Sequence, residues 1–309
     1  MMRRAALLLL LFVPLEAAAY VRSTTENGTP IYWDGNCAFI IPDTVPSPEL
    51  TLDEVLGGLT RSMANWQTAT SSCSYFRLNQ DTPAAGEAKL DRKNVLKFRN
   101  DRWCRPAEKN TPEMCYSAGA AAITTVFYST DQKTLGRIVD ADIEFNAINF
   151  TFVNVPSSQQ ARPGTLSADL ENTLTHELGH FQGLDHTCWD GSTANPPRDE
   201  TGNTIPSCGN LGSLPQAERD RITMATMYNY AGPNEIIKRT PEQDDINGIC
   251  AIYPLARDPG QCLRPDRAQS GCSVALGTAM GRSAASGALV LGLLVCLGLG
   301  LAFRRRRTA

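Results

Sequence analysis

The chain has 309 residues, with 29 lysines and arginines, 32 aspartates and glutamates, and a formal net charge of −3. Once the charged residues of the two termini are set aside, 22 basic and 31 acidic residues remain, which argues against a nucleic-acid partner. The body between the termini, residues 20–253, is long enough for one domain with a sizeable core or for two small ones.

The N-terminal residues 1–19 have the pattern of a secretory signal peptide. A basic start is followed by the apolar run Ala5–Val13, which is too short to span a bilayer, and by the small residues Ala17–Ala19. A short membrane anchor is the alternative, but the alanine-rich end favours cleavage near Tyr20. We therefore expect an exported protein.

The body is predicted to contain both helices and strands. Thr51 and Glu54 form a capping box at the start of an amphipathic helix over Thr51–Thr68. A second helix is predicted over Ala168–Gly183 and a third from about Pro241, whereas residues 188–215 are rich in loop-forming residues. Segments rich in β-branched and aromatic residues are predicted strands: Cys37–Ile41, Ser74–Leu78, Asn94–Phe98, Ala121–Tyr128, Arg137–Phe145 and Phe150–Val155. This order predicts an α+β protein with helices packed on one sheet.

All three histidines of the chain fall within eleven residues, at positions 176, 180 and 186. His176 and His180 are four residues apart and so share one face of the predicted helix. Gly183 has no Cβ and can end the helix in a sharp turn, which brings His186 back as a third ligand. Three protein ligands and an open position for water are typical of catalytic zinc. Glu177 is placed to accept a proton from that water, so the motif predicts a zinc hydrolase rather than a surface helix with incidental histidines.

This motif resembles that of the metzincin zinc peptidases, and the sequence after it resembles the matrixin branch of that family. Ala225–Tyr228 is similar to the methionine turn of matrixins, in which Met227 would lie beneath the metal; Met224 is the alternative. Asp244–Ile249 is similar to the start of the matrixin C-terminal helix, where the aspartates support the methionine turn.

The resemblance extends over about Ile31–Tyr253 and implies a fold, an activity and a cofactor. The implied fold is a twisted, mostly parallel five-stranded sheet with an antiparallel edge strand and three helices. Ala121–Tyr128 would be the edge strand, on which the substrate lies. The implied activity is zinc-dependent hydrolysis of a protein or peptide substrate, with one zinc ion because no further histidine is present. The alternatives are a zinc-bearing binding or adhesion module without activity, and a zinc hydrolase that acts on a non-peptide bond.

Two further features have two interpretations each. Asp140, Asp142 and Glu144 alternate along a predicted strand near which matrixins have calcium ligands, so they form either a calcium site or a solvated acidic face. His186 and Met227 are 41 residues apart, which is more than a matrixin needs. The excess, residues 188–223, either shapes specificity near the primed side of the cleft or is a solvated surface loop.

The cysteines predict disulfide bonds. An even number of cysteines in the body of an exported protein predicts four disulfides, and the absence of a Cys-x-x-Cys pair argues against a cysteine-ligated zinc site. Short loops favour three of the pairs, and the fourth follows from the remaining cysteines: Cys104–Cys115, Cys188–Cys208, Cys250–Cys262 and Cys37–Cys73.

The C-terminus has three predicted parts. Residues 254–283 are a linker that contains Cys272, residues 284–303 are an uncharged stretch long enough to span a membrane, and residues 304–309 are a basic cytoplasmic tail. A buried core helix is the alternative for the uncharged stretch, but it lacks a polar face. The three parts resemble the C-terminal sorting tails of myxobacterial surface proteins, which implies that a sorting enzyme acts near Cys272; a permanent membrane helix is the alternative. We expect the protein on the outer surface or the extracellular face of a membrane, with release where the tail is processed.

Overall fold

The computed structural model describes the body of the chain with short gaps, and the backbone of one C-terminal segment. The described ranges are 20–108, 111–157, 159–193, 195–262, 264 and 303–308. The predicted signal peptide, Cys272 and all but the last residue of the predicted membrane segment lie outside these ranges. Within the described ranges, no helix is long and apolar enough to cross a membrane.

The described residues form helices and strands in mixed order. The helices are α1 (Leu52–Ala69), α2 (Leu170–Gln182), α3 (Gln216–Met224) and α4 (Gln243–Ile252), with short 3-10 helices at Cys208–Ser213, Ile237–Arg239 and Leu255–Arg257. The strands are β1 (Val21–Arg22), β2 (Cys37–Pro42), β3 (Arg77–Gln80), β4 (Val95–Arg99), β5 (Cys104–Arg105), β6 (Met114–Cys115), β7 (Ala122–Ser129), β8 (Ile138–Asn146), β9 (Phe150–Val153), β10 (Leu166–Asp169), β11 (Leu184–Asp185) and β12 (Phe303–Thr308). Helix α3 was not predicted, because Ile222 is its one buried residue and it has no apolar stripe.

The central sheet has five strands of the body in the order β3-β2-β4-β8-β7. Strand β2 is parallel to both β3 and β4, and β4 is parallel to β8. Strand β7 is antiparallel to β8, with Ala122 opposite Phe145. The predicted α+β architecture and its mixed sheet with an antiparallel edge strand are therefore confirmed. The predicted strand that begins at Phe150 exists, and β9 pairs in parallel with β10.

Helices α1 and α2 pack against each other and against the sheet, and their apolar side chains form part of the main core. Helix α1 begins with the predicted capping box of Thr51 and Glu54. The Trp66 indole of α1 donates a hydrogen bond of 2.8 Å to the Thr175 carbonyl oxygen of α2. The apolar stripe of α2 is fully buried and consists of Leu170, Leu174, Leu178 and Phe181. This stripe fixes α2 in the core, so the orientation of its other side chains is also fixed.

The three acidic residues of β8 are fully buried, so the expected solvated acidic face is wrong. A buried carboxylate needs hydrogen-bond donors or positive charges as partners. The partners are backbone amides, guanidinium groups and one phenol hydroxyl: the Asp91 and Arg92 amides for Asp140, the Val95 amide for Asp142, and the Arg99 and Arg105 guanidinium groups with the Tyr116 hydroxyl for Glu144. A calcium ion at Asp140, Asp142 and Glu144 stays a prediction.

Two of the four predicted disulfides are correct. Cys104–Cys115 joins β5 to β6, and Cys188–Cys208 closes a loop after His186. The other two predicted pairs are wrong, because the structure forms Cys73–Cys250 and Cys37–Cys262.

These two disulfides were predicted wrongly because they depend on the path of the C-terminal segment, which the lengths of the loops between cysteines do not predict. Helix α4 returns to the end of α1, where the Tyr75 amide donates to the Tyr253 carbonyl oxygen at 3.0 Å. The chain then runs along β2, and the Asn36 amide donates to the Gln261 carbonyl oxygen at 2.9 Å. Arg264 forms an ion pair with Asp81. The body therefore extends about ten residues beyond the predicted boundary at residue 253.

Strand β12 adds to the outer edge of β7. The two strands are antiparallel, with Phe303 opposite Ser129 and Thr308 opposite Thr124. A tail in this position lies on the same side of a membrane as the body, whereas the sequence predicts that residues 304–309 are cytoplasmic. In one molecule, residues 303–308 cannot both pair with β7 and lie in the cytoplasm. Strand β12 also uses the backbone donors and acceptors that an edge strand offers to another peptide.

Candidate metal centre

The three histidines converge at the C-terminal end of α2. His176 and His180 lie one turn apart on α2, and His186 follows β11. Their ligand-capable atoms all lie within 4.8 Å of one another, and His180 Nε2 is 3.1 Å from His186 Nε2. Two nitrogens on one tetrahedral zinc ion, each at about 2.0–2.1 Å from it, are about 3.3 Å apart. The group can therefore hold a metal ion.

The hydrogen bonds of the imidazole rings also fit a metal ion. Each Nδ1 contacts an oxygen that can only accept: Thr226 O at 2.7 Å from His176, Leu184 O at 3.0 Å from His180, and Asp190 Oδ2 at 3.0 Å from His186. Each Nδ1 must then carry the proton, so each Nε2 carries a lone pair. Burial, with the nearby His186 and Lys238, holds the pKa of His176 well below its usual range, which keeps the ring neutral as a ligand must be.

Gly183 makes the turn that brings His186 to the site. Its φ of 103° is left-handed, and its amide donates back to the carbonyl oxygens of Gly179 and His180. A Cβ at this position would lie 3.1 Å from the Ile31 carbonyl oxygen. Both the backbone conformation and the space therefore favour glycine, and the predicted role of Gly183 agrees with its position.

Glu177 lies next to His176 in the sequence, and both residues line one cavity. Its Oε2 accepts a hydrogen bond of 2.6 Å from the Thr124 hydroxyl on β7. Burial raises the pKa of Glu177 to about 8, and the Thr124 hydrogen bond acts in the opposite direction. A cation on the adjacent histidines favours the ionised carboxylate. The group can therefore exchange a proton near neutral pH.

Met227 packs under α2 between the first two histidines. Its sulfur approaches Gly179 so closely that a Cβ there would lie 2.2 Å from Sδ. Met224 is 49% exposed at the end of α3, so the alternative to Met227 is wrong. The Thr226 amide donates a hydrogen bond of 2.6 Å to Asp245 Oδ2, which places an α4 aspartate under the turn as the resemblance implied.

A cavity opens beside His176 and Glu177, and residues 228–238 form one wall of it. Its sides are largely apolar and include Phe150, Ala168, Tyr228 and Pro233. Lys238 also lines it and is 2% exposed, and its Nζ donates to Tyr230 O at 2.5 Å and to Glu235 Oε1 at 2.7 Å. Burial lowers the pKa of Lys238, and Glu235 opposes this shift. The result is a largely apolar cavity that also contains the ion pair of the buried Lys238 with Glu235.

The insert after His186 does not line this cavity in the part of the chain that is described. It packs instead along the N-terminal segment, where Arg22 and Glu200 form an ion pair of 3.9 Å. A shallow groove between the two segments includes Thr24, Pro30 and Pro197. Asp190 of the insert contacts His186, and a role of the insert in specificity stays a prediction.

Sequence reasoning missed three residues of the site: Thr124, Asp190 and Lys238. Thr124 lies within the predicted edge strand, but alternation along a strand does not identify which side chain meets the helix. Asp190 and Lys238 lie in segments without a motif. Thr124 and Lys238 come close to the site only through the complete fold, whereas Asp190 lies four residues after His186 in a loop whose conformation has no sequence motif.

Comparison with models of known protein families finds no match, and neither does comparison with curated protein sequences. The geometry of the site therefore carries the functional argument.

Proposed function

We propose that the protein is an exported, surface-tethered, zinc-dependent endopeptidase of the matrixin-like metzincin type. The observation that carries this proposal is the placement of three Nε2 lone pairs and the Glu177 carboxylate beside an antiparallel edge strand. A binding module needs the histidines but has no use for a buried carboxylate beside them, held by the Thr124 hydroxyl. The four disulfides agree with export.

The three histidines would hold the zinc ion through Nε2. The bound ion supplies Lewis-acid chemistry, which activates water and polarises the scissile carbonyl. The three imidazole rings are already oriented to bind a metal ion, because the oxygen that accepts from each Nδ1 fixes the orientation and the tautomer of its ring. Asp245 accepts a hydrogen bond from the Thr226 amide, and the carbonyl oxygen of Thr226 orients His176.

Glu177 would act as the general base at its carboxylate oxygens. It accepts a proton from the attacking water and delivers it to the leaving amine as the peptide bond breaks. The Thr124 hydroxyl holds one carboxylate oxygen and favours the ionised form. The neighbouring apolar cavity excludes bulk water from the carboxylate and accepts one substrate side chain.

The substrate would lie along β7. An edge strand offers alternate backbone donors and acceptors to an extended peptide, and Thr124 connects this strand to Glu177. A peptide paired with β7 therefore lies next to the base and the histidines. Strand β12 occupies this edge in the described structure, so a substrate must displace it.

The test is cleavage of a broad peptide library by the full chain, exported so that its disulfides form. We expect endoproteolysis that is lost with a zinc chelator, restored by zinc and abolished in Glu177→Ala. Glu218→Ala, on α3 away from the cavity, is the matched control and should cleave at the wild-type rate. Activity that survives both the chelator and Glu177→Ala would contradict the proposed mechanism. A chain that binds zinc but cleaves no peptide would favour a binding module.

A further inference from the structure

The outer partner of His186 differs from those of the other two histidines. His176 and His180 donate to backbone carbonyl oxygens, whereas His186 Nδ1 donates to a carboxylate, Asp190 Oδ2, at 3.0 Å. Asp190 lies four residues beyond His186, inside the loop that the disulfide Cys188–Cys208 closes. A neutral carbonyl and a carboxylate are not equivalent, because a charged acceptor makes the stronger hydrogen bond.

The loop holds the Asp190 side chain in place. The Ser192 amide donates to Asp190 Oδ1 at 2.8 Å, so each carboxylate oxygen has a partner. The adjacent Trp189 is fixed on both sides, since its amide donates to Pro206 O at 2.8 Å and its carbonyl oxygen accepts from the Cys208 amide at 2.9 Å. The Asp190 side chain is only 18% exposed. The carboxylate is therefore preorganised before any metal ion binds.

A carboxylate on the outer nitrogen of a ligating imidazole fixes the Nδ1–H tautomer and the ring orientation, and it makes Nε2 a stronger donor to a metal ion.

We propose that Asp190 is a positioning residue of the metal centre and that the disulfide-closed loop of residues 188–208 exists to present it to His186. The inference rests on the metal-binding part of the proposed function and not on peptide hydrolysis. The insert would therefore contribute to metal affinity, whereas the sequence predicted either a contribution to substrate specificity or a solvated surface loop.

The test is a direct measurement of zinc affinity by competition with a chromophoric chelator. Asp190→Asn keeps the size and one acceptor oxygen but removes the charge, and we expect affinity to fall by about 10–100-fold. Asp199→Asn is the matched control, because the Asp199 carboxylate accepts hydrogen bonds from Thr201 and Asn203 of the same loop. The control should bind zinc within about twofold of wild type.

Two further readouts separate positioning from general stability. Chelator-stripped Asp190→Asn should melt within a few degrees of the stripped wild type, and its cobalt-substituted form should have an altered visible spectrum. Unchanged zinc affinity in Asp190→Asn would overturn the proposal, as would an equal loss in Asp199→Asn or a loss of affinity matched by unfolding of the stripped protein. A wild-type chain that does not bind zinc would overturn it too. A chain that binds zinc through Asp190 but cleaves no peptide would refute the peptidase alone.

Discussion

The Thr124 hydroxyl of β7 donates a hydrogen bond of 2.6 Å to the Glu177 carboxylate of α2. This contact joins the edge strand, where a peptide would bind, to the proposed general base. It favours the ionised carboxylate and so opposes the rise in the pKa of Glu177 that burial causes.

We predict that Thr124→Val lowers kcat/KM by about tenfold or more, since hydrogen bonds to charged groups contribute about 1.5–3 kcal/mol. Loss of the bond raises the pKa of Glu177, and a base must be ionised to act. The acidic limb of the pH–activity profile should therefore move to higher pH. Thr124→Ser keeps the hydroxyl and should retain the wild-type profile. A Thr124→Val profile that is not shifted would contradict this role.

The position of β12 predicts that the C-terminal tail inhibits the protein. Thr308 pairs opposite Thr124, so the tail occupies the part of β7 that a substrate needs. We expect a variant that ends at Arg264 to have a lower KM for peptides than the full chain. A synthetic peptide of residues 303–308 should inhibit the shortened variant competitively. Equal KM values with and without the tail would instead agree with a tail that lies across a membrane.

The buried Lys238 predicts a substrate preference. The cavity beside Glu177 is largely apolar but contains this ammonium group, two of whose three hydrogens are donated to Tyr230 and Glu235. We therefore expect a substrate side chain with an apolar stem and an acceptor at its end, such as glutamine or glutamate. Lys238→Met should shift the ratio of kcat/KM values toward leucine by about 10–100-fold. Lys89→Met changes a lysine outside the cavity and should leave the ratio unchanged. An unchanged ratio in Lys238→Met would exclude Lys238 from specificity.

Asp245 under the methionine turn predicts a pH dependence of stability. Burial, with the nearby charge of Asp244, raises its pKa from 3.8 to about 7 in the folded chain. The folded state then binds more protons than the unfolded state between these values. The resulting contribution to stability is fully present below pH 3.8 and is lost as the pH rises through about 7.

Asp245→Asn should therefore flatten the fall in the free energy of unfolding between about pH 4 and pH 8, as measured by urea denaturation. Asp53→Asn replaces an exposed aspartate of α1 and serves as the control, with the slope of the wild type. If Asp245→Asn keeps the wild-type slope, Asp245 does not titrate as its burial implies.

The sequence predicted those parts of the site whose geometry is local. The spacing of His176 and His180 on a helix, and the glycine turn at Gly183 before His186, depend on a few consecutive residues. The capping box of α1 and the edge strand β7 are also local patterns, and both are found close to their predicted bounds.

Contacts between distant segments could not be predicted in this way. The pair Cys73–Cys250 forms because α4 returns to the end of α1, and the rule of short loops chose the wrong partner. Lys238 lines the cavity because the segment after Met227 packs against α2, where the Lys238 amide donates to Asn172 Oδ1. The acidic residues of β8 are buried because the segments that contain Asp91 and Arg105 pack over them. The alternation of acidic and apolar residues along β8 does not predict this packing.

The most direct test of the central claim is a zinc titration of the stripped protein with peptide hydrolysis followed at each step. We expect activity to return linearly and to saturate at one zinc ion per chain, while Glu177→Ala binds the same one equivalent and remains inactive. Hydrolysis by the metal-free wild type, or by zinc-loaded Glu177→Ala at the wild-type rate, would contradict it.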